Sequence, residues 1–364
     1  MAQPTWRWAC LLIVVGSLSL SCESILDPIL DEGAVTHNVS LNATNRIAFT
    51  SYESRSNSRT DIFLLEMDGR ECRNVTAQLG NSQQPSFSPD GSSIVFLCNT
   101  EVYIMDADGA NTRQITNRGG VPYKSFPVFA QDGRTILFFA KTGTYDSRLD
   151  IYSVNVDGSN YRNLTNQYAD CLHPSMSPDN GRILYFAVSE TSGGGVRSDI
   201  YEMDAAGNNK VNLTANAGYN IFPRYSPDGS RIVFCALREG DQEYSLYLMN
   251  ADGSQQRRLY GSDRMTTFPQ FTPDGSRIVF VIESNNQRTT DVCIINADGS
   301  GFRNLTNSNC RNWGPVVAAD GSRIVFESDG DGNDQLYTMN IDGSGRRKLT
   351  SNTRTNFQPT LRYH

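Results

Sequence analysis

The amino-acid sequence predicts an all-β protein: a seven-bladed β-propeller of four-stranded antiparallel blades, closed by pairing of its N- and C-terminal strands. Three observations carry this. A turn of the Ser-Pro-Asp-Gly type recurs with its aspartate at Asp90, Asp132, Asp179, Asp228, Asp274 and Asp320, a spacing of 42 to 49 residues. A second turn recurs at Asp68-Gly69, Asp108-Gly109, Asp157-Gly158, Ala206-Gly207, Asp252-Gly253, Asp298-Gly299 and Asp342-Gly343. Between the turns lie short apolar, β-branched runs such as Arg231-Ile232-Val233-Phe234. A fixed period of this length marks a radial array of four-stranded sheets.

Each unit reads in the same order. Strand A (Phe222-Pro223-Arg224-Tyr225) is followed by a Gly turn, then strand B (Arg-Ile-Val-Phe) and a variable loop. Strand C (Asp-Ile-Tyr-x-Met-Asn), a second Gly turn and strand D (Arg-Asn-Leu-Thr) complete it. Asp-Gly between alternating apolar runs is a hairpin signal, because glycine takes the positive φ that tight turns demand. The second turn occurs seven times and the first six. The ends account for the difference: Arg46-Ile47-Ala48-Phe49 matches strand B, and Phe357-Gln358-Pro359-Thr360-Leu361 matches strand A. The seventh blade is therefore split between the termini, and the propeller occupies 45–364.

Ahead of it, Arg7 and the apolar stretch from Trp8 to Val15, which runs on through Gly16 to Ser21, form a signal peptide over 1–21, its apolar segment too short for a membrane span. Leu18-Ser19-Leu20-Ser21-Cys22 resembles a bacterial lipobox, and the resemblance implies that Cys22 is the lipidated first residue of the mature chain. Plain secretion is the alternative, since Ser19 stands where an aliphatic residue is preferred. Residues 22–44 form a linker. Glu23 after the cysteine favours the outer membrane, with the protein facing the periplasm or the cell surface.

The chain has 364 residues, 38% hydrophobic and 20% charged, with a net charge of -7 and no basic block, so a nucleic-acid partner is excluded on electrostatic grounds. Its eight cysteines include no CxxC pair, and Cys98, Cys235 and Cys293 fall in apolar strands as buried thiols. His37, His173 and His364 are the only histidines, too few and too scattered for a triad or a histidine metal cluster. His173 fills a slot held by Phe126, Phe222 and Phe268 in other repeats, which points to packing. The acid-rich loop Asp329-Gly330-Asp331-Gly332-Asn333-Asp334 offers oxygen ligands for calcium at Asp329, Asp331 and Asn333, against the plainer reading of a solvated Gly-rich loop. Asn-Leu-Thr triplets at Asn163, Asn212 and Asn304 match a glycosylation sequon, but their fixed place at the end of strand D points to a structural origin. No catalytic residue and no cofactor is assigned.

The Phe-Pro-x-Phe-Ser-Pro-Asp-Gly-Ser-Arg-Ile-Val-Phe and Asp-Ile-Tyr-x-Met-Asn-Ala-Asp-Gly pattern resembles the WD40-like (PD40) repeat of the TolB propeller family, from about residue 45 to the end. The resemblance implies a non-catalytic scaffold in the bacterial envelope that binds a protein, with a cell-wall glycan as a second partner class. The chain departs from TolB in its count of seven blades rather than six, and in having a short linker where TolB has an α/β domain. Related propellers cap hydrolases, whose Gly-x-Ser-x-Gly elbow is absent here. The alternative function is a hydrolase or lyase working in the central channel.

Antiparallel strands put the A–B and C–D turns on one face and the B–C loops and D–A links on the other. All the length variation falls on the second face, where recognition is expected. The D–A links carry Tyr123, Tyr168, Tyr219, Arg264, Arg311 and Trp313 towards the channel mouth, residue types that dominate binding hot spots. The same side chains could instead plug the channel. A monomer is expected, since a closed ring leaves no long open sheet edge.

Overall fold

A computed structural model describes residues 46–52, 59–117, 123–141, 148–166, 169–191, 195–215, 218–283, 289–351 and 354–361. The leader, the linker, Cys22 and Tyr168 lie outside them. Strands are the only regular elements among the described residues. The chain opens with β1 (Arg46–Tyr52), β2 (Thr60–Glu66) and β3 (Arg73–Asn74). Blade two is β4 (Ser82–Phe87), β5 (Ser93–Cys98), β6 (Glu101–Asp106) and β7 (Arg113–Gln114). Blade three is β8 (Tyr123–Phe129), β9 (Thr135–Lys141), β10 (Leu149–Asn155) and β11 (Arg162–Asn163). Blade four is β12 (Asp170–Met176), β13 (Arg182–Glu190), β14 (Val196–Asp204) and β15 (Val211–Asn212). Blade five is β16 (Tyr219–Tyr225), β17 (Arg231–Leu237), β18 (Ser245–Asn250) and β19 (Arg257–Tyr260). Blade six is β20 (Met265–Phe271), β21 (Arg277–Glu283), β22 (Thr290–Asn296) and β23 (Arg303–Asn304). Blade seven is β24 (Asn312–Val317), β25 (Arg323–Ser328), β26 (Gln335–Asn340) and β27 (Arg347–Lys348), after which comes β28 (Thr355–Leu361).

These strands make seven four-stranded antiparallel sheets, and one has the order β28-β1-β2-β3. The expected split blade is therefore present: Ile47 pairs with Leu361, Thr50 with Phe357 and Tyr52 with Thr355. Inner strands of adjacent blades meet around the axis, β28 touching both β4 and β24.

Every inner strand is bulged at one place. In blade two Gln83 pairs with Leu97 and Ser86 with Val95, so Gln84 and Pro85 together oppose Phe96. The same two-against-one geometry recurs at each X-Pro step of strand A, and the residue before proline has positive φ in all seven blades: Gln84, Phe126, His173, Phe222, Phe268, Gly314 and Gln358, within the narrow span of 50 to 56°. Opposite each bulge stands a fully buried aromatic, in order Phe49, Phe96, Phe138, Tyr185, Phe234, Phe280 and Phe326. A bulge adds local twist and bends the strand, and the large ring beneath fills the space that the bend opens.

Strand D is shorter than its sequence pattern implies, two residues in every blade but the fifth. The Leu-Thr that follows is held by side chains instead of a ladder. In blade three Thr165 Oγ1 accepts from Ile151 N at 3.0 Å and donates to Asp150 Oδ1 at 2.6 Å, while Asn163 Nδ2 donates to Asp150 Oδ2 at 3.0 Å. Asn212 and Asn304 do the same with Asp199 and Asp291. The Asn-Leu-Thr triplets are thus internal locks, as their fixed position suggested.

The residues two before each bulge join several of the neighbouring blades. These are Ser82, Lys124, Cys171, Asn220, Thr266, Asn312 and Asn356, all buried. Lys124 Nζ reaches Glu101 Oε1 of blade two at 2.9 Å, Asn312 Nδ2 donates to Thr290 O of blade six at 2.8 Å, and Asn356 Nδ2 donates to Gln335 Oε1 of blade seven at 3.2 Å. On the turn face, strand D arginines bind carbonyls of the next blade: Arg257 to Asp298, Arg303 to Asp342, and Arg347 to Met67 and Asp68 across the split blade. Cys98, Cys235 and Cys293 are buried free thiols, and so is Cys171.

Candidate functional site

The bulges place seven side-chain positions around the axis, and their chemistry divides the ring in two. From blade three to blade seven the contacts are aromatic. Ring centroids lie 5.2 Å apart for Phe126 and His173, 5.1 Å for His173 and Phe222, and 4.6 Å for Phe222 and Phe268, and Trp313 meets Phe268 edge-on at 5.4 Å. Such spacings are those of packed aromatic pairs.

His173 is one member of that stack, as its place among the phenylalanine slots predicts. It lies between Phe126 and Phe222, with Phe139 and Phe186 also within 5.7 Å. Burial, with a smaller contribution from the charge of Arg224, pushes its imidazole down to about 3, so it is neutral near pH 7. The unfolded chain protonates this group near pH 6.5 and the folded protein resists it, so its contribution to stability is complete above about pH 6.5 and is lost as pH falls towards 3. His173→Phe, which copies blades three, five and six, removes this penalty. We expect a thermal melt of the variant to match wild type at pH 7 and to exceed it at pH 4. The gap at pH 4 should reach about 3 kcal/mol, from roughly 1.4 kcal/mol per pH unit over the 2.5 units below pH 6.5; equal losses in both proteins would exclude His173 as the source.

The other half of the ring is polar. Gln84 Oε1 accepts the N–H of Phe126 at 2.7 Å, and Gln358 Oε1 accepts the N–H of Gln84 at 3.3 Å and the Thr50 hydroxyl at 3.1 Å. Blade seven has Gly314 at its ring position, and there Glu327 of β25 takes over. A Cβ on Gly314 would come within 2.7 Å of Glu327 Oε1, which accepts the N–H of Gln358 at 2.7 Å. Burial pushes the Glu327 carboxyl up to about 8, Asp334 adds to the rise, and the Gln358 N–H and Arg311 oppose it. Sequence reasoning missed Glu327. Its signal was a glycine in a phenylalanine slot together with an acid where blades five and six have Cys235 and Val281.

The six residues predicted for the channel mouth fare differently. Tyr123 and Tyr219 are the first residues of β8 and β16, and Trp313 is the second of β24, so all three belong to inner strands rather than to the links expected. Strand A begins earlier than the sequence pattern indicates because ladder pairing extends three residues ahead of the bulge. Trp313 pairs with Glu327 and is half-buried, whereas Tyr123 is 55% exposed. Arg264 does lie in a link, where its Nη2 is 3.2 Å from Asp291 Oδ2, and Arg311 contacts Asp329 Oδ2 through Nε at 2.9 Å. Both guanidinium groups are thus engaged within the protein.

The calcium candidates do not converge in this arrangement. Asp329 faces Arg311, and Asp331 accepts from Lys348 Nζ at 2.8 Å and from the Tyr337 hydroxyl at 2.5 Å. Among the described residues no three His, Cys, Asp or Glu side chains cluster as a metal site would require. A notch of about 310 Å³ on the turn face, between Pro178, Asp179, Arg182, Asp228 and Gly229, is bounded by two hairpin turns. The carboxyl of Asp228 is held down to about 2 by the hydroxyls of Ser226 and Ser230 and the Ser230 N–H, which is turn chemistry.

The sequence profile of the family described as TolB beta propeller domain matches residues 32–193, 186–288 and 261–363. The Tol-Pal system protein TolB of Desulfotalea psychrophila is 33% identical over 110 residues, which span 29% of this chain and 24% of that protein. Among solved structures, TolB from Acinetobacter baumannii aligns with a TM-score of 0.53 and 18% identity over 88% of this chain and 67% of its own. An oligogalacturonate lyase in complex with manganese aligns with a TM-score of 0.58 and 15% identity, over 84% of this chain and 85% of its own. At these identities the structural likeness concerns the fold alone.

Proposed function

The chain belongs to the TolB beta propeller domain family, and from that premise we propose that it is a non-catalytic binding scaffold of the bacterial envelope whose loop-bearing face holds a protein partner. The observation that carries this reading is the lining of the axis. Five aromatic rings in consecutive contact line one half, and the side chains of Gln84, Gln358 and Glu327 are spent on backbone N–H groups in the other. An enzyme working in the channel needs titratable groups that converge on an open cavity. Here the most exposed large ring at the start of an inner strand is Tyr123, on the face of the variable loops.

A protein partner is favoured over a cell-wall glycan because the curated relative is named for a Tol-Pal system. Export with an anchor at Cys22 would put the propeller where such a partner resides. The test is capture from solubilised envelope by immobilised propeller, comparing wild type with the Tyr123→Ala, Tyr219→Ala double variant. Truncating hot-spot aromatics costs on the order of 2 kcal/mol, roughly thirtyfold in affinity. We expect capture to fall by about that factor with the melting temperature unchanged; full capture would locate binding elsewhere, and turnover of an envelope polysaccharide by wild type would overturn the scaffold reading. In the same cells, acyl-probe labelling should vanish in Cys22→Ser.

A further inference from the structure

The polar half of the axial ring follows one rule. Each bulge N–H is capped by the side chain at the ring position of the preceding blade: Phe126 N by Gln84, Gln84 N by Gln358, and Gln358 N by Glu327 standing in for Gly314. Two of the three caps are neutral amides. The third is a carboxyl, and it sits at the seam where the C-terminal strand β28 closes the ring. β28 packs against β24, β25 and β26 on one side and pairs with β1 on the other.

We propose that Glu327 is a proton-controlled latch, holding the C-terminal strand in the ring when its carboxyl is neutral and loosening it when the carboxyl is ionised. Removal of the carboxyl from water sets the direction and outweighs the Gln358 N–H, which alone would favour the charged form. A neutral carboxyl is a near copy of the glutamine caps beside it, with one oxygen for the Gln358 N–H. An ionised one is a half-buried charge whose charged neighbours are Arg311, just ahead of β24, and Asp334, ahead of β26. Arg311 is already shared between Asp329 and Asp334. β28 itself contributes no titratable side chain between Thr355 and Leu361. Detaching β28 removes the Gln358 contact and opens the carboxyl to water.

The closed state binds this proton more tightly than the open state, in keeping with a carboxyl raised to about 8 by burial. Opening of the seam is therefore least frequent below about pH 4.5, grows by up to about tenfold per pH unit from there towards 8, and then levels off. A family member exported to the envelope would experience such changes directly.

Hydrogen exchange of the intact propeller, corrected for intrinsic rates, reads the latch between pH 5 and 9. In wild type we expect protection of residues 355–361 to fall steeply up to pH 8, while β12 and β13 on the far side of the ring keep theirs. In Glu327→Gln, which retains the cap without the charge, the profile at 355–361 should be flat and high. Parallel slopes in the two proteins, or a wild-type profile without slope, would overturn the proposal. Should the variant fail to fold, wild type alone decides: a fall confined to the seam supports the latch, and a uniform fall around all blades refutes it.

Discussion

A chain that stops at residue 354 should not form a cooperative ring. Removing β28 takes the inner partner from β1, whose residues from Arg46 to Ser51 are all buried, and uncovers the bulge space above Phe49. It also deletes Asn356, whose Oδ1 accepts the Ser51 hydroxyl at 2.9 Å and whose Nδ2 reaches Gln335 and Thr350. Domain stability amounts to about 5–15 kcal/mol in total, and the loss of one whole inner strand with its buried polar contacts is of that order. We expect the truncated chain to lose its sharp thermal transition and to be cut rapidly by protease near β1. A synthetic peptide of residues 355–361 should restore the transition, and the same peptide with Asn356→Ala should do so poorly. A truncated chain that melts like wild type would mean that the closing strand contributes little.

Lys124→Ala is expected to cost about 2 kcal/mol, since removing the buried member of this ion pair leaves the partly buried Glu101 carboxylate without its partner. The Lys124 side chain is entirely shielded, with Nζ 2.9 Å from Glu101 Oε1, and Glu101 also takes the Thr116 hydroxyl. The pair crosses from blade three to blade two, so the damage falls on a junction between sheets. The double variant Lys124→Asn, Glu101→Gln installs the neutral chemistry that Asn356 and Gln335 use at the junction of blades one and seven. It should recover about half of the loss in a urea titration. A single variant within 1 kcal/mol of wild type would show that this contact is incidental.

The fold was legible because turns are local. Asp-Gly spacing locates hairpins whatever the sheets do next, and the matching of Arg46-Ile47 to one strand type and Phe357-Gln358-Pro359 to another identifies the split blade without any distance. The axial ring was only half legible. The slot shared by Phe126, His173, Phe222 and Phe268 was visible as a repeat, but the residue before a proline ordinarily takes extended backbone, so nothing local announced the positive φ of a bulge. Glu327 acts on Gln358 from 31 residues away and Arg264 on Asp291 from 27, and a pairing of that kind depends on how blades abut. The mouth residues Tyr219 and Trp313 were assigned to links for a related reason: ladder pairing carried β16 and β24 further than their apolar pattern reached.

The split blade is joined as its neighbours are: Asn356 grips blade seven as Asn312 grips blade six, and Arg347 reaches blade one as Arg303 reaches blade seven. Mechanically the ring therefore has no first blade. Load is passed across the split blade by the same pair of fastenings that joins blades six and seven, inner amide and outer guanidinium, so strain need not collect where the polypeptide is interrupted. The interruption is a matter of covalent connectivity alone, and a chain cut between two other blades and joined across the present gap would present the same closed hoop to whatever rests on its face.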